Sequence, residues 1–274
     1  MKAINSFIKS MLIWGNWLSP FLRHENFVNY IKKQERTNGV AILGNGPSLK
    51  NFDPESQQNT DYCVVNFAPL SDLFFAVRPR FYVLIDTAFF EKPQDELVNR
   101  LRSVSWDLFL FVPYRERKKA QQRFGLNSHI VIIPVHCVGI HDTYSWKKSA
   151  FRLFRKGWAM PSPQNVLIAA IYCMINSGFK QINIYGADHS WISQLFVDEH
   201  NRLMIKDSHF YDDKEVSCRP ILLEDGTEST LCCELRLQAD AFGAYEMLRG
   251  YAEYLGGVEI INKTVGSFID AFQR

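Results

Sequence analysis

No uninterrupted apolar run in the 274-residue chain approaches 18 residues, so a membrane-spanning helix is not expected. The N-terminus lacks a small-residue cleavage site, which argues against a signal peptide. Neither sign of charge dominates: 31 Lys and Arg against 29 Asp and Glu leave +2, without the basic field of a dedicated nucleic-acid binder. The six cysteines, Cys63, Cys137, Cys173, Cys218, Cys232 and Cys233, make no C-x-x-C pair and have no histidine cluster at zinc spacing. A reducing, cytoplasmic setting without structural disulfides follows, with Cys63 and Cys173 in apolar runs that read as core. Internal repeats and low-complexity tracts are also absent. What remains is 47% hydrophobic and 22% charged, enough core for one large α/β domain or one domain with an insertion.

The chain is organised around Val40–Leu49, VAILGNGPSL. An apolar run that ends on glycines reads as a buried parallel strand leading into a tight turn. Gly44 and Gly46 carry no Cβ, so backbone N–H groups there can approach an anion, with a phosphate as the natural guest. Asn45 and Pro47 complete the turn, and Ser48 is placed to cap the helix expected next and present its first N–H groups. A strand-to-helix glycine turn without any ligand is the competing reading.

Further strands are expected over 61–67, ending near Asn66, and 80–86, ending on Asp86. Polar residues at strand C-termini are where open α/β sheets hold ligands. Helical sequence over 93–104, a strand at 108–112, a charged helix at 114–123 and a strand at 130–135 follow. A looser segment with His136, His141 and Trp146 runs to Lys156. The almost uniformly apolar helix 164–177 should be buried, with Ser162 as N-cap, Pro163 at its first position and Gly178 closing it. A strand over 180–185 leads to Gly186-Ala187-Asp188-His189. A helix over 235–255, a strand over 258–262 and a terminal helix near 266–272 end the chain. The alternation predicts a mostly parallel sheet with helices on both faces. Three parts are expected: an N-terminal extension over 1–38, a nucleotide-binding domain made of 39–189 and 231–274, and a polar lid over 190–230. In the extension, apolar residues at helical spacing with Trp14, Trp17, Lys2, Lys9 and Arg23 suit an interfacial amphipathic helix on anionic lipid through residues 1–30. They equally suit a helix packed on its own domain or on a sister subunit, which would make a homo-oligomer.

The order of GNGPSL at 44–49, a strand ending at Asn66, FYVLIDTAFFE at 81–91, YGADHSW at 185–191, DSHFY at 207–211 and IINKTVGSFIDAF at 260–272 resembles glycosyltransferase family 42, the bacterial lipooligosaccharide sialyltransferases. It is similar also to the wider GNGPSL-bearing group, which includes nonulosonate transferases and archaeal pterin diphosphokinases. The resemblance covers roughly residues 40–272. It implies a Rossmann-like GT-A variant with a lid, and a metal-independent, inverting transfer from a CMP-activated sugar with no cofactor. The acceptor would be a cell-surface glycan or lipid-linked precursor, in lipooligosaccharide or capsule assembly at the inner face of the cytoplasmic membrane. In agreement, no Asp-x-Asp ends a mid-chain strand.

Residue by residue, the resemblance puts Gly44, Asn45, Gly46, Asn66, Gly186 and Asp188 at the nucleotide, with Asp188 accepting from ribose hydroxyls. Asp86 stands where the family has asparagine and would repel a sugar carboxylate, so the donor need not be sialic acid. Ser162 matches a Ser–Gly pair near that carboxylate, although Pro163 replaces the glycine. His189, Tyr211 and Trp191 are candidates to stabilise the charge on departing CMP. The base is His209 or Asp213; an imidazole with an ordinary pKa near 6.5 suits removal of a hydroxyl proton at neutral pH. Two other functions are open: a Mg-dependent pterin diphosphokinase-like enzyme using Asp188, Asp212 and Asp213, and a non-catalytic nucleotide-binding protein.

Overall fold

The computed structural model describes residues 37, 39–57, 59–92, 94–141, 147–207, 217–223 and 225–274. The N-terminal amphipathic stretch, Trp146, His209, Tyr211, Asp212 and Asp213 lie outside the described residues. In chain order the strands and helices begin with β1 (Gly39–Leu43), β2 (Thr60–Val65), α1 (Asp72–Val77), β3 (Phe81–Val83), α2 (Ala88–Glu91), α3 (Asp95–Arg102), β4 (Leu108–Pro113), α4 (Arg117–Phe124) and β5 (Ile130–Val135). They continue with β6 (Gly139–Ile140), α5 (Lys147–Arg155), β7 (Met160–Pro161), α6 (Val166–Asn176), β8 (Gln181–Tyr185), β9 (Leu195–Val197), β10 (Leu203–Asp207), β11 (Ser217–Pro220), α7 (Leu231–Leu255) and β12 (Glu259–Asn262).

Seven strands form one sheet in the order β12-β8-β1-β2-β3-β4-β5, and every pairing in it is parallel. Successive side chains of a strand face opposite ways, so β1 feeds two cores at once. Val40 and Ile42 join the core covered by α5, α6 and α7, while Ala41 and Leu43 join the one covered by α1, α3 and α4. The fold is therefore Rossmann-like α/β with helices on both faces of a parallel sheet, as the alternating pattern predicts. Helix α6 is buried from Leu167 to Asn176, which explains its uniform apolarity. Cys63 and Cys173 are fully buried and unpaired. Among the described residues, no helix is long and apolar enough to cross a membrane.

Several expectations are corrected. The element after β1 is a five-residue 3₁₀ turn, Pro47–Asn51, whose N-cap is Gly46; Ser48 lies inside it and caps nothing. Helix α6 is capped by Asn165 instead of Ser162: the Asn165 side-chain oxygen Oδ1 accepts from the N–H groups of Leu167 and Ile168 at 3.0 and 3.3 Å. The loose segment before residue 156 contains α5. No helix forms near 266–272. There the Ser267 hydroxyl accepts from the Ile269 N–H and the Asn262 amide oxygen accepts from the Thr264 N–H, so side chains take the groups a helix needs. Within 190–230, β9, β10 and β11 pair as a separate antiparallel sheet.

Candidate functional site

From β1 the chain moves outward through β2 to β5 on one side, then returns to place β8 and β12 on the other. Such a reversal leaves a crevice at the carboxyl ends of the central strands. A cavity of about 590 Å³ fills it. Its wall is made by the turn after β1 (Asn45, Gly46, Pro47), the end of β2 (Val65, Asn66) and the segment after β3 (Ile85, Asp86, Thr87). Cys137, the entry to α6 (Pro163, Gln164, Asn165) and the turn after β8 (Gly186, Asp188, His189, Ser190, Trp191) complete it.

The glycine turn packs against its own chain. The Gly44 N–H donates to the Tyr185 carbonyl and the Gly46 N–H to the Gly186 carbonyl, both at 2.8 Å. Ser48 gives its N–H to Asp188 Oδ1 at 3.3 Å and its hydroxyl to Asp188 Oδ2 at 2.7 Å. A Cβ on Gly44 would stand 2.4 Å from the Gly186 carbonyl oxygen, and one on Gly46 1.9 Å from Asp188 Oδ2. Both glycines are thus required by the close approach of two loops. The N–H groups of Gly44, Gly46 and Ser48, expected at a phosphate, have hydrogen-bond partners within the chain. Gly44, Ser48 and Ser162 do not line the cavity; Asn45, Gly46, Pro47, Asn66, Asp86, Gly186, Asp188 and His189 do. Buried Ser162 instead contacts His141, Oγ to Nε2 at 3.3 Å.

Three asparagines define the cavity chemically. Asn66 ends β2 in the left-handed region at φ 46°, which asparagine tolerates better than most residues. Its backbone is pinned, with the N–H on the Val83 carbonyl and its own carbonyl taking the Tyr82 hydroxyl. Asn45 makes one long bond, 3.5 Å from Nδ2 to the Val65 carbonyl. Asn165 Oδ1 accepts from two N–H groups of α6. Among the described residues, Asn45 Oδ1, Asn66 Oδ1 and Asn165 Nδ2 are buried with no partner. Each such atom costs about 1–3 kcal/mol. All three atoms belong to residues that line the cavity.

The fourth wall is a relay. The Tyr245 hydroxyl, fully buried on α7, donates to Asn165 Oδ1 at 3.0 Å and lies 2.5 Å from His189 Nε2. His189 holds φ 51° and its ring sits 4.2 Å from that of Trp191. Burial pushes its imidazolium down to about 3, so the ring is neutral. The lining includes two carboxylates, and no Lys or Arg among the described residues. Exposed Asp86 accepts from the Ala88 N–H at 2.9 Å. For an anionic group, the described wall offers the N-terminal end of α6, side-chain amides, and residues with hydroxyl or indole donors in Thr87, Ser190 and Trp191. Among the described residues no cluster of three or more His, Cys, Asp or Glu could hold a metal ion.

Sequence reasoning missed Asn165 and Tyr245. A polar residue directly before an apolar helix is a legible cap signal, and it identifies Asn165. Tyr245 carries no local signal, since its partner His189 is 56 residues away.

No protein-family model matches the chain, and no curated protein does. Among solved structures, the chain is similar to the sialyltransferase CstII from Campylobacter jejuni in complex with the substrate analogue CMP-3FNeuAc. Identity there is 16% and the TM-score 0.44, over 86% of this chain and 85% of that one. A second structure of CstII from Campylobacter jejuni, with cytidine-5′-monophosphate, gives 16% identity and a TM-score of 0.45 over 88% and 85%. At that identity and TM-score the likeness assigns no function to this chain.

Proposed function

We propose that the chain is a glycosyltransferase that binds a nucleotide sugar, CMP-linked, in the cavity at the carboxyl ends of β1, β2 and β8. The supporting observation is the set of three unpartnered asparagine atoms around one cavity at the reversal of strand order. Neutral amides suit hydroxyls and a nucleobase, which offer donors and acceptors in equal measure. The phosphate would lie toward the N-terminal end of α6, where Asn165 Nδ2 faces no competing carbonyl.

The reaction is inverting and independent of metal. A base takes the proton of the acceptor hydroxyl, the oxygen attacks the anomeric carbon, and the nucleotide phosphate leaves with the bonding electrons. His209 or Asp213 is the base, with Tyr211 donating to the leaving phosphate. The acceptor is a glycan or glycolipid at a membrane's cytoplasmic face, approached through residues 1–30.

Thermal unfolding with CMP, CDP, UDP, GDP and ATP, with and without Mg²⁺, tests this. CMP at a hundred times its dissociation constant is expected to stabilise the fold by about 2.7 kcal/mol, with or without Mg²⁺. Stabilisation by ATP only in the presence of Mg²⁺ would replace the transferase with a diphosphokinase. With CMP-sugar turnover in hand, loss of rate in His209→Ala or in Asp213→Ala identifies the base; full rate in both removes the assignment.

A further inference from the structure

The hydrogen-bond chain behind the cavity has only one consistent polarity. Two backbone N–H groups, from Leu167 and Ile168, point at Asn165 Oδ1, which fixes that atom as oxygen. The Tyr245 hydroxyl has a single hydrogen, and Asn165 Oδ1 can only accept, so the hydrogen lies on that bond. Tyr245 must then accept from His189, and Nε2 of a neutral imidazole carries the ring's one hydrogen. Nδ1 is left with a bare lone pair. Among the described residues it has no hydrogen-bond donor, although His189 is about nine-tenths buried and lines the cavity. At the other end of the same chain, Asn165 Nδ2 is a donor without an acceptor. Tyr245 thus sets His189 Nδ1 as an acceptor, and the start of α6 sets Asn165 Nδ2 as a donor, on two residues that line the cavity. Asp188, to which the sequence points for pentose hydroxyls, already accepts twice from Ser48.

We infer that His189 recognises a pentose hydroxyl of the bound nucleotide through Nδ1, with Tyr245 and Asn165 as positioning residues that hold the imidazole in the Nε2–H form. The inference rests on the nucleotide-sugar reading and adds to it a specificity residue outside the motif positions. A hydroxyl is the complementary group, since it donates to Nδ1 and its oxygen still accepts from an amide. Imidazole in this form rejects a ligand that offers only acceptors at that point.

The full chain labelled with ¹⁵N-histidine reads the tautomer directly. The His189 signal, assigned by its loss in His189→Asn, is expected as Nε2–H at pH 7, and Tyr245→Phe is expected to mix the two tautomers. CMP is expected to shift the Nδ1 resonance. His189→Ala should weaken CMP about threefold to tenfold, the effect of one hydrogen bond, and His189→Gln should restore part of it. Either 2′-deoxy- or 3′-deoxy-CMP should bind the native chain more weakly by a similar factor, and His189→Ala should not distinguish that analogue from CMP. An Nδ1–H tautomer in the native chain overturns the inference, as does an Nδ1 resonance that no ribonucleotide moves. If UMP or GMP shifts Nδ1 while CMP does not, the choice of cytidine fails and the His189 assignment stands.

Discussion

At Gly46 the absence of one methyl group decides whether two loops can meet. Gly46→Ala would place Cβ 1.9 Å from a carboxylate oxygen and 2.7 Å from the Gly186 carbonyl, and the second of these is backbone that cannot rotate away. We expect a loss of about 1–3 kcal/mol in urea unfolding, the range for overpacked sites. The glycine pattern was legible in the sequence as a demand for missing Cβ atoms. Its cause was not, because the atoms that crowd the turn come from the turn after β8, more than a hundred residues later. His189 has its own signature. Folded, the buried imidazole holds its pKa near 3, against 6.5 in the unfolded chain. Below pH 6.5 the unfolded state takes up a proton the folded state refuses. Stability is thus complete above pH 6.5 and falls toward pH 3, by about 1.4 kcal/mol per unit across the window from this residue. Urea midpoints at pH 7, 6 and 5 should show that slope, and His189→Asn should reduce it; an unchanged slope refutes the assignment.

Helix α6 carries two tasks on one cap. The oxygen of Asn165 holds the helix, and its nitrogen is left without a partner on a residue that lines the cavity. Asn165→Asp keeps the capping oxygen, so unfolding stability should move by less than about 1 kcal/mol. The same change replaces an amide donor with a carboxylate where we propose that an anionic ligand binds, and nucleotide affinity should drop by about tenfold or more. Calorimetric titration beside urea unfolding separates the two effects; equal loss in both would make Asn165 a structural cap alone. Elements with one clear period were readable in the sequence: α6 from its apolarity, β4 and β5 from short apolar runs. Helix α5 was not, although Ala150, Phe151 and Phe154 lie on its buried face, because the segment before it is a mixture of histidine, tryptophan and glycine. The tail after β12 looks helical in composition. It folds instead as a clasp, with the Phe268 N–H on the Asp188 carbonyl and the Ser267 hydroxyl on that of Ala187.

Across the whole molecule, the parallel sheet sets the cavity's place, and the clasp and α7 close its back. The proposed membrane contact of the N-terminal residues is testable by truncation. A chain beginning at Thr37 should keep its thermal response to CMP and lose co-sedimentation with vesicles rich in anionic lipid; unchanged pelleting removes the lipid reading. The sequence by itself determined the class of fold, since apolar runs of strand and helix length are local and survive any later packing. It also placed Asn45, Asn66, Asp86, Gly186, Asp188 and His189 at the carboxyl ends of strands, hence at one end of a parallel sheet. Only the tertiary structure decided which of their polar atoms stay unpartnered. Ser48 meets Asp188 across 140 positions, Tyr245 meets Asn165 across 80 and His189 across 56. A hydrogen-bonding group is satisfied or left open by whatever the fold brings against it, and no local pattern records that.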